Sequence, residues 1–211
     1  MCSLYETPTP KNQLKVRFRL DALPENFETR DIRPTNQAPI IRVVEGQRII
    51  TFARWGLIPS WAKDEAIAKH TFNARAETIA EKPSFRAAFK RHRCIVPASA
   101  FYEWRAIPGQ TKKQRLRFEA SDGQALGLAG LRERWKRPGT EEIVESYTII
   151  TTSANGFMAP IHDRMPVLLS DADMDVWLDP EENNPLLLAS LLKPAAEDAL
   201  VLVEPQVPPS K

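Results

Sequence analysis

The run Ile40-Ile41-Arg42-Val43-Val44-Glu45-Gly46-Gln47-Arg48-Ile49-Ile50-Thr51-Phe52-Ala53 sets the character of the fold. β-Branched residues flank a short Glu-Gly-Gln bend, so residues 40–44 and 48–53 read as the two arms of a β-hairpin. Working outward, Cys94-Ile95-Val96 is a buried strand ended by Pro97. Residues 100–104, 116–119, 125–131 and 146–152 are further strand candidates. Ser121-Asp122-Gly123 and a Pro-Gly excursion around 137–140 separate them. Four or more strands therefore gather in mid-chain. Helices are expected mainly towards the ends, at 173–177 behind a Ser170 cap and at 185–192, with a short amphipathic one at 85–91 behind Ser84. Leu14, Val16, Phe18 and Leu20 fit helix or strand equally. The Pro-rich tail 205–211 is expected to be disordered.

Composition narrows the class. The chain has 211 residues, 43% hydrophobic and 27% charged, enough for a full core and typical of globular proteins. Its apolar runs fall far short of the roughly 20 residues a membrane helix needs, and the first twenty residues lack the apolar stretch of a signal peptide. A cytoplasmic protein is the expectation, nucleoid-associated if bacterial, with Cys2 and Cys94 reduced. Two cysteines and three histidines without CxxC or HxxxH spacing argue against a structural metal. A net charge of +2 says little about partners, but its distribution is uneven. Lys82, Arg86, Lys90, Arg91 and Arg93 form one basic group and Lys112, Lys113, Arg115 and Arg117 another, whereas 171–182 is acidic.

Several residues carry chemistry. Met1-Cys2 allows the initiator methionine to be trimmed, which would leave a cysteine with a free α-amine beside its thiol. Such a terminus condenses with an aldehyde to an imine and closes through sulfur to a thiazolidine. Ordinary pKa values, about 7.7 to 8.0 for the amine and about 8.5 for the thiol, leave neutral amine available near neutral pH. Residues 55–61, Trp-Gly-Leu-Ile-Pro-Ser-Trp, read as a loop with two indoles, core or lid by default and able to stack on bases if exposed. In 71–78, an extended backbone would put Asn73, Arg75 and Glu77 on one face. Glu103 among Phe101, Tyr102 and Trp104 is either solvent-facing or desolvated, and a desolvated carboxyl makes a general acid. His162, between Asp163 and Pro160 in an irregular segment, suits an imidazole held in a fixed position.

Taken in order, these stretches resemble the SRAP family, first named SOS-response-associated peptidases and including abasic-site DNA–protein crosslinkers of bacteria and animals. The residues that carry the resemblance are Met1-Cys2, Trp55 to Trp61, Asn73-Ala74-Arg75-Ala76-Glu77-Thr78, Lys82-Pro83-Ser84-Phe85, the run from Arg93 to Ala98 leading into Phe101-Tyr102-Glu103-Trp104, Ala129-Gly130-Leu131, and Ile161-His162-Asp163-Arg164-Met165-Pro166. The resemblance implies an α+β fold, a single domain over residues 1–204 with a central barrel-like, mostly antiparallel β structure and peripheral helices. It implies covalent capture of abasic sites in single-stranded DNA through a thiazolidine on Cys2, lyase-like Schiff-base chemistry, and an autopeptidase step that removes Met1. Asn73 would orient the terminal cysteine, Glu103 would move protons, and His162 would assist ring opening and reversal. Arg75 would hold a phosphate, and Arg86, Trp55, Trp61 and Pro34 are softer candidates for the DNA groove. No cofactor, metal or membrane is implied, and a monomer is expected.

Two departures stand out. The family continues Cys-Gly-Arg, where this chain reads Cys2-Ser3-Leu4, which removes an expected phosphate contact but neither reacting group. Residues 31–35 also lack the aromatic-Asn pattern expected before Pro34. The competing readings are a cysteine peptidase with Cys2 as nucleophile and His162 as base, and a non-covalent single-strand-binding module. The terminal amine, superfluous to a peptidase and essential to a thiazolidine, favours capture.

Overall fold

The structure, a computed structural model, describes residues 2–8, 11–24 and 28–203. Its hairpin forms as expected, with longer arms. β1 (Tyr5–Glu6), α1 (Lys11–Phe18) and β2 (Asp31–Ile32) lead to β3 (Gln37–Val44) and β4 (Gln47–Trp55), which pair antiparallel from Gln37↔Arg54 to Val44↔Gln47. Glu45 and Gly46 take φ of 50° and 76°, which makes a two-residue turn whose twist matches the strands. After β5 (Asn73–Arg75) come α2 (Arg86–Arg91), β6 (Arg93–Ala98), β7 (Ala100–Arg105), β8 (Gln114–Ala120), β9 (Leu126–Lys136), β10 (Ile143–Ser153), β11 (Arg164–Pro166), α3 (Asp171–Leu178), α4 (Pro185–Ser190) and β12 (Leu200–Val203).

Five strands close on themselves in the order β4, β3, β6, β9, β10, and β10 returns to β4 through a parallel seam at Ser146↔Arg54 and Tyr147↔Trp55. The barrel is α+β in context and antiparallel apart from this seam, as the resemblance implies. Strand alternation sorts its two faces. Ala38, Ile40, Ala53, Trp55, Cys94, Val96, Leu128, Tyr147 and Ile149 share the interior cluster. Ile41, Ile95, Ala129, Leu131 and Ile150 belong to the outer one, with Phe18, Phe89, Trp177 and Leu188 of the four helices. A second, antiparallel sheet, β12-β8-β7-β1-β2, adds Tyr5, Phe101 and Phe118 to the interior cluster. A closed barrel is reachable only at its ends, so this sheet covers one of them. Along β10, beyond the seam, β5 pairs parallel (Ile149↔Asn73) and β11 antiparallel (Thr152↔Met165).

Several expectations need correction. Pro97 lies inside β6 opposite Gly127 rather than ending it. On its β3 side β6 pairs only at Ile95, so the missing proline N–H costs no ladder bond there. Ser84 does not cap α2: the N-cap position is Phe85, inside a turn in which Phe85 and Arg86 N–H both donate to the Lys82 carbonyl, and no side chain caps it. Ser170 does cap α3, in a capping box with Asp173. The 14–20 segment is helix up to Phe18, with Leu14 and Phe18 buried and Val16 exposed. Arg93 is no part of a basic surface. It is buried, donating from Nε to Trp177 O and from its other nitrogens to the carbonyls of Phe89, Lys90, Asp179 and Glu182. The tail 205–211 lies outside the described residues.

Candidate active site

β1 is only two residues long, so its position depends on its neighbours. It lies between β2 and β7, with Tyr5↔Phe101 in register, and the Tyr102 N–H donates to Leu4 O at 3.0 Å. Cys2, three residues ahead, is 1% exposed, and its thiol points towards Leu4 O at 3.8 Å. Asn73, at the first position of β5, donates from Nδ2 to the Cys2 carbonyl at 2.7 Å. Its Oδ1 is buried without a hydrogen-bond partner among the described residues, an acceptor held ready beside Cys2.

Glu103 reaches the same place from β7. It sits two residues after Phe101 and opposite Leu116, so alternation turns it to the inner face of the second sheet, where it is 2% exposed. Burial raises its pKa, and the His162 imidazole pulls the other way, which puts that ring within electrostatic reach. The Cys2 thiol is pushed up to about 12, by burial first and by the negative charge of Glu103 second. The four residues named from sequence, Cys2, Asn73, Glu103 and His162, are thus brought together from the N-terminus, β5, β7 and the loop before β11. Their thiol is held protonated near neutral pH.

His162 is held by a braced loop. Asn155 donates to the carbonyls of Ala195 and Ala196, the Glu197 carboxylate accepts from the N–H of Gly156 and Phe157, and the His162 N–H donates to Met158 O. The Arg164 N–H donates to His162 Nδ1 at 3.0 Å, so the neutral ring carries its proton on Nε2. Asp163 Oδ1 lies 2.9 Å from the same Nδ1 and becomes its acceptor when the ring gains a second proton.

The sequence reading missed the braces. Arg164 forks onto both Glu77 oxygens at 2.6 and 2.9 Å and also donates to Thr151 O, tying the His162 loop to the turn after β5. Glu77 and Arg164 both lie in motifs named above, but their pairing across 87 residues has no local signal. On the outer face of the second sheet Glu6 accepts from Arg117 at 2.8 and 3.0 Å, from Ser99 and from Tyr102. Arg117 above all holds the Glu6 carboxyl down to about 2. This clasp fixes the strand that follows Cys2 against the strand that carries Glu103.

The DNA-contact candidates divide. Arg75 ends β5 with its side chain exposed, two residues from Asn73, and Arg86 is exposed on α2. Trp61 is 58% exposed and donates from Nε1 to Pro83 O at 3.4 Å, beside the turn that starts α2. Pro34 is half-buried in the turn between β2 and β3, where the Thr35 N–H donates to the O of Trp55, the last residue of β4. Trp55 is 0% exposed, the last residue of β4 and not part of a loop, so its assignment to base stacking is withdrawn. Leu4, where the family places arginine, is fully buried and offers a phosphate nothing. A cavity of about 520 Å³ lined by Arg17, Asp122, Ser170 and Lys193 contains none of the four central residues. Among the described residues no cluster of His, Cys, Asp or Glu could hold a metal, and no helix is long and apolar enough to cross a membrane.

Comparison with known proteins places the chain in a family. The family model described as SOS response associated peptidase (SRAP) matches residues 1–207. The abasic site processing protein YoqW of Bacillus subtilis is 40% identical over 190 residues, 84% of each chain. The abasic site processing protein HMCES of Xenopus tropicalis is 37% identical over 153 residues, 63% of this chain and 46% of that one. A crystal structure of a Bacteroides thetaiotaomicron protein superposes with a TM-score of 0.81 at 31% identity, covering 95% of this chain and 90% of the other. With the family model spanning nearly its whole length, this chain belongs to the SRAP family.

Proposed function

We propose that this protein processes abasic sites in single-stranded DNA by covalent capture on Cys2. The observation that carries the reading is the Asn73–Cys2 hydrogen bond of 2.7 Å, made where a buried Glu103 and His162 converge, in a chain 40% identical to an abasic site processing protein. Removal of Met1 frees the Cys2 amine, which attacks C1′ of the ring-opened sugar. Protonated Glu103 gives its proton to the departing hydroxyl, so water leaves and an iminium forms. The resulting carboxylate takes the proton of the Cys2 thiol, sulfur adds to the iminium carbon, and the thiazolidine closes with Glu103 protonated again. Asn73 fixes the nucleophile by its carbonyl, and His162 serves the sugar oxygen during ring opening.

A thiol held near 12 fits a sulfur that acts second, after the amine, better than a resting peptidase thiolate. Single-stranded DNA is the expected substrate because stacking hides C1′ in a duplex, and phosphate contacts from Arg75 and Arg86 should weaken as salt rises.

The test is incubation of Met1-processed protein with a single-stranded oligonucleotide bearing one abasic site. A heat-stable, mass-shifted adduct is expected, absent in Cys2→Ala and in protein that retains Met1. An undiminished adduct in Cys2→Ala would end the proposal. Trp61→Ala should leave stability within about 0.5 kcal/mol of the parent, since the ring is largely exposed. If the ring stacks on a base, the same change weakens oligonucleotide binding by about 1–3 kcal/mol. Fluorescence anisotropy beside thermal melting reads both, and unchanged affinity would remove Trp61 from the groove.

A further inference from the structure

Where the active site occupies one end of the barrel, the other end is lined by arginine. Strand register puts Arg42 on the same face of β3 as Ile40, and Arg132 and Arg134 on the same face of β9 as Leu128, all towards the interior cluster. Across the β9–β10 ladder, Arg132 stands opposite Tyr147 and Arg134 opposite Glu145. Three guanidinium groups thus converge beyond the last apolar layer with one carboxylate among them.

That carboxylate is spoken for: Glu145 accepts from Arg134 at 2.9 Å. The neighbouring acid, Glu133, lies on the other face, 3.3 Å from His92, and accepts the Arg134 N–H at 3.0 Å. Arg42 donates from Nε to the hydroxyl of Thr51, at 3.3 Å. Arg132 Nε is buried with no hydrogen-bond partner among the described residues. A buried guanidinium donor left unpaired is costly and uncommon, and like charges gathered at a protein surface repel. Burial first, then the charge of Arg132, depresses the Arg42 pKa, with Glu145 opposing and Arg134 adding to the fall, so the groups that strand register puts on one face also feel one another's charge.

We infer that Arg42, Arg132 and Arg134 form a second oxyanion site at the barrel end remote from Cys2, built for a phosphoryl group. Guanidinium forks match the oxygen geometry of phosphate, and a dianion offsets the excess positive charge. From Glu145 to Ile149, the partner of Asn73, is four residues along β10, about 13 Å at the rise of a strand. The packed core lies between, so one phosphate cannot serve both ends. The phosphoryl group belongs either to a nucleic acid strand lying across the outside of the barrel or to a free phosphorylated molecule.

The experiment uses the full chain and inorganic phosphate, followed by isothermal titration calorimetry and by melting temperature. Saturable binding near or below about 1 mM is expected. It should weaken at least tenfold in Arg42→Gln, at a part-exposed position, and in Arg134→Gln, at an exposed one, and persist in an Arg75→Gln/Arg86→Gln double variant. Abasic-site capture should be unchanged in the first two. An oligothymidylate that displaces the phosphate in the double variant identifies a strand as the source, and one that does not identifies a free phosphorylated ligand. No saturable phosphate binding, or binding unaffected by either single variant, overturns the site.

Discussion

If capture proceeds as proposed, Glu103→Gln is expected to slow adduct formation on abasic single-stranded DNA by about 100-fold or more, the ordinary range for loss of a positioned acid–base group. Glutamine keeps the shape of the side chain but can neither release a proton to the carbinolamine hydroxyl nor take one from the thiol. The Cys2 thiol feels the loss in a second way. Part of its upward shift comes from the Glu103 charge, so alkylation by iodoacetamide should begin at lower pH in the variant. Because the Glu103 pKa is raised by burial, the parent rate should fall on the alkaline side as the carboxyl ionises and on the acid side as the amine protonates. In Glu103→Gln the alkaline limb disappears.

The same shift fixes the sign of the stability effect. An unfolded glutamate loses its proton in the ordinary carboxylate range, while folded Glu103 keeps it to higher pH. Between these two values the native state binds more protons, so folding stability falls as pH rises and the full cost is present above the folded value. Glu103→Gln removes that slope and should melt no lower than the parent at alkaline pH. A variant crippled in capture yet not destabilised separates a proton carrier from a packing residue. Equal losses of melting temperature and rate would assign Glu103 to packing.

The barrel was legible where side-chain period and turn chemistry agree, as in the 40–53 hairpin, and less so where pairing is remote. The parallel seam between β10 and β4 rests on two residue pairs about ninety positions apart, and no local pattern encodes it. The four central residues were legible through their order along the chain, since motifs survive where distances cannot be read. The Glu77–Arg164 fork and the Glu6 clasp were hidden because a charged residue on a short polar strand reads the same whether solvated or paired. Pro97 misled because a proline in a strand is judged by the ladder it interrupts, and only the fold reveals that β6 meets β3 at Ile95 and not at Pro97. At residues 55–61 the glycine and the proline were given too much weight. The alternation of the hairpin already carried Ala53 and Trp55 to the same inward face, and Gly56, at φ 118° with its hydrogens against the Ala68 carbonyl, breaks the strand only afterwards.

Trp55→Ala is therefore expected to cost about 3–5 kcal/mol of folding stability, the range for emptying a large aromatic from a core. The indole lies edge-on to Tyr5 at 5.2 Å and to Phe72 at 6.1 Å, and is stacked on Tyr147 at 6.3 Å. Its Nε1–H donates to Phe72 O at 2.7 Å, and its backbone exchanges bonds with Thr35 and Asn36. Those contacts join the hairpin, the seam strand and the residue before Asn73, so the cavity would open directly beneath the active site. Trp55→Phe keeps most of the apolar contact but leaves the Phe72 carbonyl without its donor, for a smaller loss of about 1–3 kcal/mol. Urea denaturation read by circular dichroism measures both, and capture by Trp55→Ala under native conditions should fall only as far as the folded fraction does. A Trp55→Ala protein as stable as its parent, but weakened in binding single-stranded DNA, would return the indole to the groove and refute its place in the core.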